Sequence, residues 1–186
     1  MPRPRLPLAT ARLVLRPYTM DDLDAVHDMY SRPEVTRYLL FDVRDRDETR
    51  TALERRVAAG RPDHAGGRLL LALAVVLPGG TLIGDVVLFQ ETPQNRQGEI
   101  GYIFHPDHAG HGYATEAARA MLGLGFEAYG LHRIVGRLDA RNTASARVLE
   151  RLGMRREAHF VQNEMVKGEW TDELVYAMVE DEWKSL

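Results

Sequence analysis

The residues best placed to do chemistry in this sequence lie in one stretch, His105 to Ala118, reading H-P-D-H-A-G-H-G-Y-A-T-E-A-A. An apolar strand pattern, Glu99 to Phe104, ends where the stretch begins, and a helical pattern starts at Thr115. Gly110, Gly112 and Ala114 put small residues at alternate positions in the turn between them. Small residues let a ligand come close to the backbone, and the first N–H groups of a helix have no intrahelical acceptor. With the positive end of the helix dipole, those N–H groups predict a site for a phosphate or pyrophosphate. The plain alternative is a glycine-rich bend, but a strand before and a helix after favour the anion site.

Two well-known phosphate loops do not fit. A Walker loop ends in Gly-Lys-Ser/Thr, and no such tripeptide follows Gly112. A Rossmann fingerprint needs Gly or Ala where Thr115 stands and a strand leading straight into its first glycine, whereas His105 to Ala109 intervene here. The run His105, His108, His111 suggests a metal at first sight. His105 precedes a proline, His111 sits inside the glycine loop, and no fourth ligand or second shell is evident, so no metal is expected. Ser145 shares a helical stripe with Val148, Leu149 and Leu152, and a core-facing hydroxyl needs a partner. A carbonyl one turn back in its own helix is the simplest one.

The elements that must position these residues read clearly enough. Thr10 to Pro17 alternates as a strand, Asp21 to Met29 follows as a short helix with Thr19 as a possible cap, and Arg32-Pro33 breaks it into a loop. A second helix is expected near Asp47 to Ala59, then strands at Leu69–Leu77, Leu82–Gln90 and Glu99–Phe104 with short turns between them, an antiparallel meander. The helix from Thr115 presents Ala118, Met121, Leu122, Gly125 and Tyr129 on one face and stops at Gly130. Arg133 to Asp139 returns as a strand parallel to Glu99–Phe104. Asn142 is a good N-cap and Gly153 a good C-cap for a further helix. Arg156–Val166 and Leu174–Val179 read as a last pair of strands joined through Lys167-Gly168.

Composition narrows the function classes. A chain of 186 residues makes one domain, able to bury about 70% of its unfolded surface. A net charge of −3 leaves no electrostatic footprint for nucleic acid. No cysteine is present, which removes disulfides, thiolate metal sites and a cysteine acyl-enzyme. The basic, proline-broken start has no apolar segment behind it, and the apolar run Leu69–Leu77 is far shorter than the roughly 20 residues of a membrane span. A cytoplasmic protein is expected.

Ala109 to Ala114 (A-G-H-G-Y-A) resembles the pyrophosphate loop Q/R-x-x-G-x-G/A of the GNAT (general N-acetyltransferase) superfamily at Gly112 and Ala114, with Ala109 where Gln or Arg is usual. The segment Asn142-Thr-Ala-Ser145-Ala-Arg147-Val-Leu-Glu-Arg-Leu-Gly153-Met resembles the N-x-x-S-x-R-V-L-x-x-L-G-F signature of the ribosomal-protein N-terminal (Rim-type) acetyltransferase branch. Thr10 to Pro17 and Asn163 to Trp183 are also similar to that branch, so the resemblance covers nearly the whole chain.

The resemblance implies an α/β (α+β) domain over residues 1–186, with a mixed, mostly antiparallel twisted sheet of about seven strands. That sheet is expected to splay at its central parallel pair and to carry helices on both faces. Acetyl-CoA is the implied co-substrate, with pantetheine along Ile103 and Phe104 and the pyrophosphate on Gly110, His111, Gly112, Tyr113, Ala114 and Thr115. Asn142 and Arg147 are implied in cofactor contacts and Ser145 beside the thioester as a donor to the departing thiolate. Glu99, in E-I-G-Y, is the implied base, against the plain reading of a strand-start glutamate after a turn. With no cysteine, direct transfer in a ternary complex is expected. The implied acceptor is a protein or peptide α-amine; a small amine (antibiotic, amino acid or polyamine) and a non-catalytic acyl-CoA-binding module stand as alternatives. No nucleic acid or membrane partner is expected, and the protein should be a monomer or homodimer.

Overall fold

A computed structural model of the chain describes residues 5–59, 69–90 and 93–186. Its strands are β1 (Leu8–Ala9), β2 (Val14–Arg16), β3 (Leu69–Val76), β4 (Leu82–Gln90), β5 (Gln97–Phe104), β6 (Arg133–Asp139), β7 (Arg155–Val166) and β8 (Glu169–Val179). Its helices are α1 (Leu23–Tyr30), α2 (Pro33–Thr36), α3 (Arg46–Ala59), α4 (Tyr113–Gly123, continued by a π turn over Leu124–Ala128), α5 (Thr143–Arg151) and α6 (Glu180–Lys184). The strands form one sheet in the order β1-β2-β3-β4-β5-β6-β8-β7, parallel only between β5 and β6.

β3 shows why the centre of the sheet is so apolar. Alternate side chains of a strand point to opposite faces, and both faces of β3 are covered. Leu69, Leu71, Leu73 and Val75 enter one core with Met121 and Leu122 of α4 and Leu149 of α5. Ala74 and Val76 enter a second core with Val26, Met29 and Tyr30 of α1 and Leu53 of α3. The two helix pairs therefore lie on opposite sides of the sheet.

The sheet has eight strands where about seven were expected. Thr10–Pro17 is not one strand: the Thr10 N–H donates to the Leu13 carbonyl at 2.9 Å, and the Thr10 hydroxyl accepts the Leu13 N–H at 3.1 Å. That turn folds β1 back onto β2, a local hydrogen-bond choice that alternation cannot reveal. Pro33 opens α2 at its first turn rather than only breaking the chain. α4 begins at Tyr113, two residues before the helical pattern. β8 begins at Glu169 rather than at the expected Leu174; the buried polar residues Thr171 and Glu173 interrupt the apolar run and hide that start.

The parallel pair parts early. β5 and β6 are in register only at Gln97–Arg133, Gly98–Ile134 and Glu99–Val135. β5 continues to Phe104, paired on its other side with β4 up to Gly84, while β6 turns to β8. The result is a V whose root is Glu99 and whose upper edge is the Ile100–Phe104 backbone.

Candidate active site

The glycine loop leads from the tip of β5 to the start of α4. Gly110 and Gly112 hold φ of +79° and +77°, a region that side-chain-bearing residues rarely adopt. Gly112 is the N-cap of α4, so Tyr113, Ala114 and Thr115 form the first turn with N–H groups that no helical carbonyl can reach. A Cβ at Gly110 would meet nothing within 4 Å, and one at Gly112 would meet only Nη2 of Arg12, at 3.6 Å. The cradle is open on the side where an anion is expected. Thr115 adds a buried hydroxyl with no hydrogen-bond partner among the described residues.

Ile103 and Phe104 lie on the upper edge of the V, facing opposite ways: Phe104 packs towards the α4/α5 core and Ile103 towards the α1/α3 core. Glu99 alternates with Ile100, so its side chain shares the α1/α3 side with Ile103. There its Oε2 lies 3.3 Å from Nε of Arg137 on β6, and Arg137 also reaches Glu173 of β8 at 3.3 Å. Nδ2 of Asn163 on β7 donates to the same Glu173 carboxylate at 3.0 Å. Glu99 is thus one member of an ionic chain across three strands rather than a solitary strand-start glutamate.

Ser145 lies on the other side of the V. Its Oγ donates to the phenol of Tyr102 at 2.9 Å, and the Tyr102 hydroxyl donates to the Ser145 carbonyl at 3.0 Å. The serine is therefore not bonded back to its own helix. Asn142 caps α5 by accepting the Ser145 N–H at 3.1 Å, which fixes the serine's turn, and Arg147 is exposed on the same helix. Burial pushes the Tyr102 phenol up to about 12, against the opposing pull of the Ser145 hydrogen bond. Tyr102 is the residue the sequence reading missed. Its place two residues after Ile100 was the available signal, since that spacing puts it on the α4/α5 side of the strand.

The far wall of the Glu99 side comes from remote segments. Lys167 in the β7–β8 turn donates to the Thr36 carbonyl at 2.7 Å and lies 3.5 Å from Asp42, clasping that turn to the α2 region. Arg141, paired with Asp139 and Glu169, stands over the ring of Tyr38 at 5.9 Å. Nothing in the spacing of these residues could have announced the contacts. The three loop histidines go to three different partners: His105 Nε2 to Asp28 at 2.9 Å, the His108 ring edge-on to His105, and the His111 ring stacked on Tyr113 at 5.4 Å. His105 Nδ1 accepts the Asp107 N–H, so its proton sits on Nε2 facing the carboxylate.

A splayed parallel pair beside an open glycine loop is the arrangement that the resemblance implied for an acyl-thioester cofactor, and the comparisons carry this to a family. Residues 12–155 match the acetyltransferase (GNAT) domain. The uncharacterised N-acetyltransferase YnaD of Bacillus subtilis is 31% identical over 95% of this chain and 98% of its own. The crystal structure of a GNAT-family acetyltransferase from Bacillus anthracis superposes with a TM-score of 0.83 at 33% identity, covering 93% of this chain and 98% of that one. Two more distant structures share the fold. RimL, the ribosomal L7/L12 α-N-protein acetyltransferase, in complex with coenzyme A, has a TM-score of 0.81 at 20% identity over 95% and 98% of the chains. Spermidine N-acetyltransferase from Vibrio cholerae, in complex with CoA and spermine, has a TM-score of 0.78 at 21% identity over 94% and 99%. The chain belongs to the GNAT acetyltransferase family. It is an N-acetyltransferase that uses acetyl-CoA as co-substrate. Among the described residues, no helix is long and apolar enough to cross a membrane.

Proposed function

We propose that this protein acetylates the α-amine of a peptide or protein N-terminus, by direct transfer from acetyl-CoA, in the manner of the Rim-type branch that its Asn142–Gly153 segment resembles. The observation that carries the reading of the site is the parting of β5 and β6 after Glu99. It opens the slot in which the thioester would lie, and alternation along β5 sets Glu99 and the Tyr102–Ser145 pair on opposite sides of it. The loop from Gly110 to Thr115 would hold the diphosphate, and Ile103 and Phe104 would line the pantetheine. Glu99 takes a proton from the ammonium, directly or through water, and the freed amine attacks the acetyl carbonyl. Each of the two hydroxyls has one proton, so the pair can switch as a unit: Tyr102 turns its donor to Oγ of Ser145, and Ser145 turns its own to the departing sulfur. The pair acts where charge develops, not on the resting substrate.

The acceptor side supports a peptide over a polyamine. Glu99 and Glu173 share Arg137, while Asp139 and Glu169 share Arg141, so carboxylates that would hold a polycation already face arginines. Exposed Phe160, opposite Glu173 in the β7–β8 pair, offers apolar surface next to that wall. Free-thiol release from acetyl-CoA, measured against N-terminal peptides, spermine and single amino acids, tests the reading. Turnover confined to peptides supports it. Turnover confined to spermine or to another small amine replaces the acceptor, and CoA binding without turnover on any amine makes the protein a non-catalytic binder.

A further inference from the structure

We infer that Arg12, at the tip of the β1–β2 hairpin, is the cationic side chain for the cofactor's diphosphate, standing in for the Gln or Arg that Ala109 lacks. The inference rests on the diphosphate reading of the glycine loop above. Arg12 is about a hundred residues away from that loop in sequence, and the hairpin turn carries it there. Its Nη1 donates to the His111 carbonyl at 2.9 Å, and its Nη2 is the atom nearest the open side of Gly112, 3.6 Å from where a Cβ would stand. The guanidinium lies over the Tyr113 ring at 4.9 Å. Nε and Nη2 both reach Oε2 of Glu116 in the first turn of α4, at 2.7 Å each. The Arg12 N–H at 2.8 Å and the Thr10 hydroxyl at 2.7 Å hold Oε1 of the same carboxylate.

These bonds orient the side chain and do not exhaust it. A guanidinium has five N–H donors, and Glu116 and His111 take three of them. The side chain remains half exposed, with Nη2 beside the open side of Gly112. A side chain at 109 would approach from the strand side of the loop, and Arg12 approaches from the sheet edge. Both meet at the same anion, so a residue from another element can fill the role that the local sequence leaves empty. Glu116 holds the guanidinium in place, with Oε2 on Nε and Nη2 of Arg12 and Oε1 on the Arg12 N–H and the Thr10 hydroxyl.

Affinity for CoA, for 3′-dephospho-CoA and for pantetheine, measured by calorimetry, tests the assignment. Arg12→Met should weaken CoA and 3′-dephospho-CoA alike, by roughly tenfold, the scale of one or two charge-assisted hydrogen bonds, and leave pantetheine affinity unmoved. Arg12→Gln, which keeps a neutral donor for Glu116 or His111, covers the case in which the methionine variant does not fold, and it should show the same selective loss. Adding Ala109→Arg to either variant should restore most of the CoA affinity. A loss shared by pantetheine, or one that Ala109→Arg leaves in place, makes Arg12 a structural tie and overturns the inference. A loss seen with CoA but not with 3′-dephospho-CoA moves Arg12 to the 3′-phosphate and overturns it too. A wild-type protein that holds CoA no better than pantetheine overturns the loop reading itself, whatever Arg12 does.

Discussion

The two faces of the sheet are built by different means. On the α4/α5 face, local chain geometry makes the site: two left-handed glycines, a helix N-terminus, and a serine and a tyrosine one bond apart across the V. On the α1/α3 face, distant charges make it: Glu99 with Arg137 and Glu173, Arg141 over Tyr38, and Lys167 clasped to Thr36. On the reading proposed above, the first face serves one constant ligand, because every acetyl-CoA presents the same diphosphate and pantetheine. The second is a set of ion pairs, individually weak in water and easily exchanged, which on the same reading suits a wall that varies with the acceptor. The cofactor side then rests mainly on local backbone geometry, with Arg12 added from a distance, and the acceptor side rests on side-chain pairs.

The largest expected effect divides the faces most sharply. Glu99→Gln should lower kcat/KM by about 10²-fold, chiefly on the acidic limb of the pH profile, with CoA affinity intact. A pH–rate profile that overlays the wild type would remove Glu99 from proton transfer. Gly112→Val should do the opposite. It forces a β-branched residue into a φ near +77° beside Arg12, and CoA affinity should fall by roughly an order of magnitude or more. Unchanged affinity in a folded Gly112→Val protein would break the equation of the α4/α5 face with cofactor binding.

Smaller effects sharpen the picture within that face. Tyr102→Phe and Ser145→Ala should each lower kcat by up to about tenfold without weakening CoA, and the double variant should lose little more than either alone, because the hydroxyls act as a unit. Additive losses in that cycle would mean two independent roles. A Ser145→Ala protein that is more stable and fully active would return the serine to structure, since alanine is the better helix former. The smallest effect concerns acid stability. Burial raises the Glu116 carboxyl, but the hydrogen bonds from Thr10 and Arg12 outweigh that and hold it below its ordinary value of about 4.5. With the folded-state pKa depressed, the stabilisation is complete above the unfolded value and is lost as pH falls through the folded one. The melting temperature of the wild type should therefore drop more steeply below about pH 4.5 than that of Glu116→Gln.

Much of the fold was legible. The caps at Asn142 and Gly153, the stop at Gly130 and the seven longer strands follow from turn chemistry and periodicity, which act over a few residues. The hairpin at Thr10–Leu13 was not, because alternation continues through the turn and only the Thr10 hydrogen bonds reveal it. Nor was the start of β8, where Thr171 and Glu173 are buried by partners on β7 and β6. Gly110 and Gly112 could be picked from type and spacing alone, whereas Ser145 was singled out for chemistry only by the resemblance of the Asn142–Gly153 segment. Tyr102 was within reach of strand periodicity, whereas Arg12, Arg137, Glu173, Lys167 and Tyr38 were not, since their value lies in what stands opposite them.

What the sequence determined by itself is whatever local sterics and short-range hydrogen bonds decide. That includes the left-handed glycines of the loop, the helix that starts beyond them, the alternating strands, and the absence of a cysteine nucleophile. The tertiary structure alone decided where β5 and β6 part and which hydroxyl faces Ser145. It also decided that Arg12 reaches the loop from the sheet edge and that Glu99 shares Arg137 with Glu173. Side-chain contacts between residues far apart in the chain depend on register and packing of the whole sheet, and a one-residue slip in any strand would turn each of these groups to the other face.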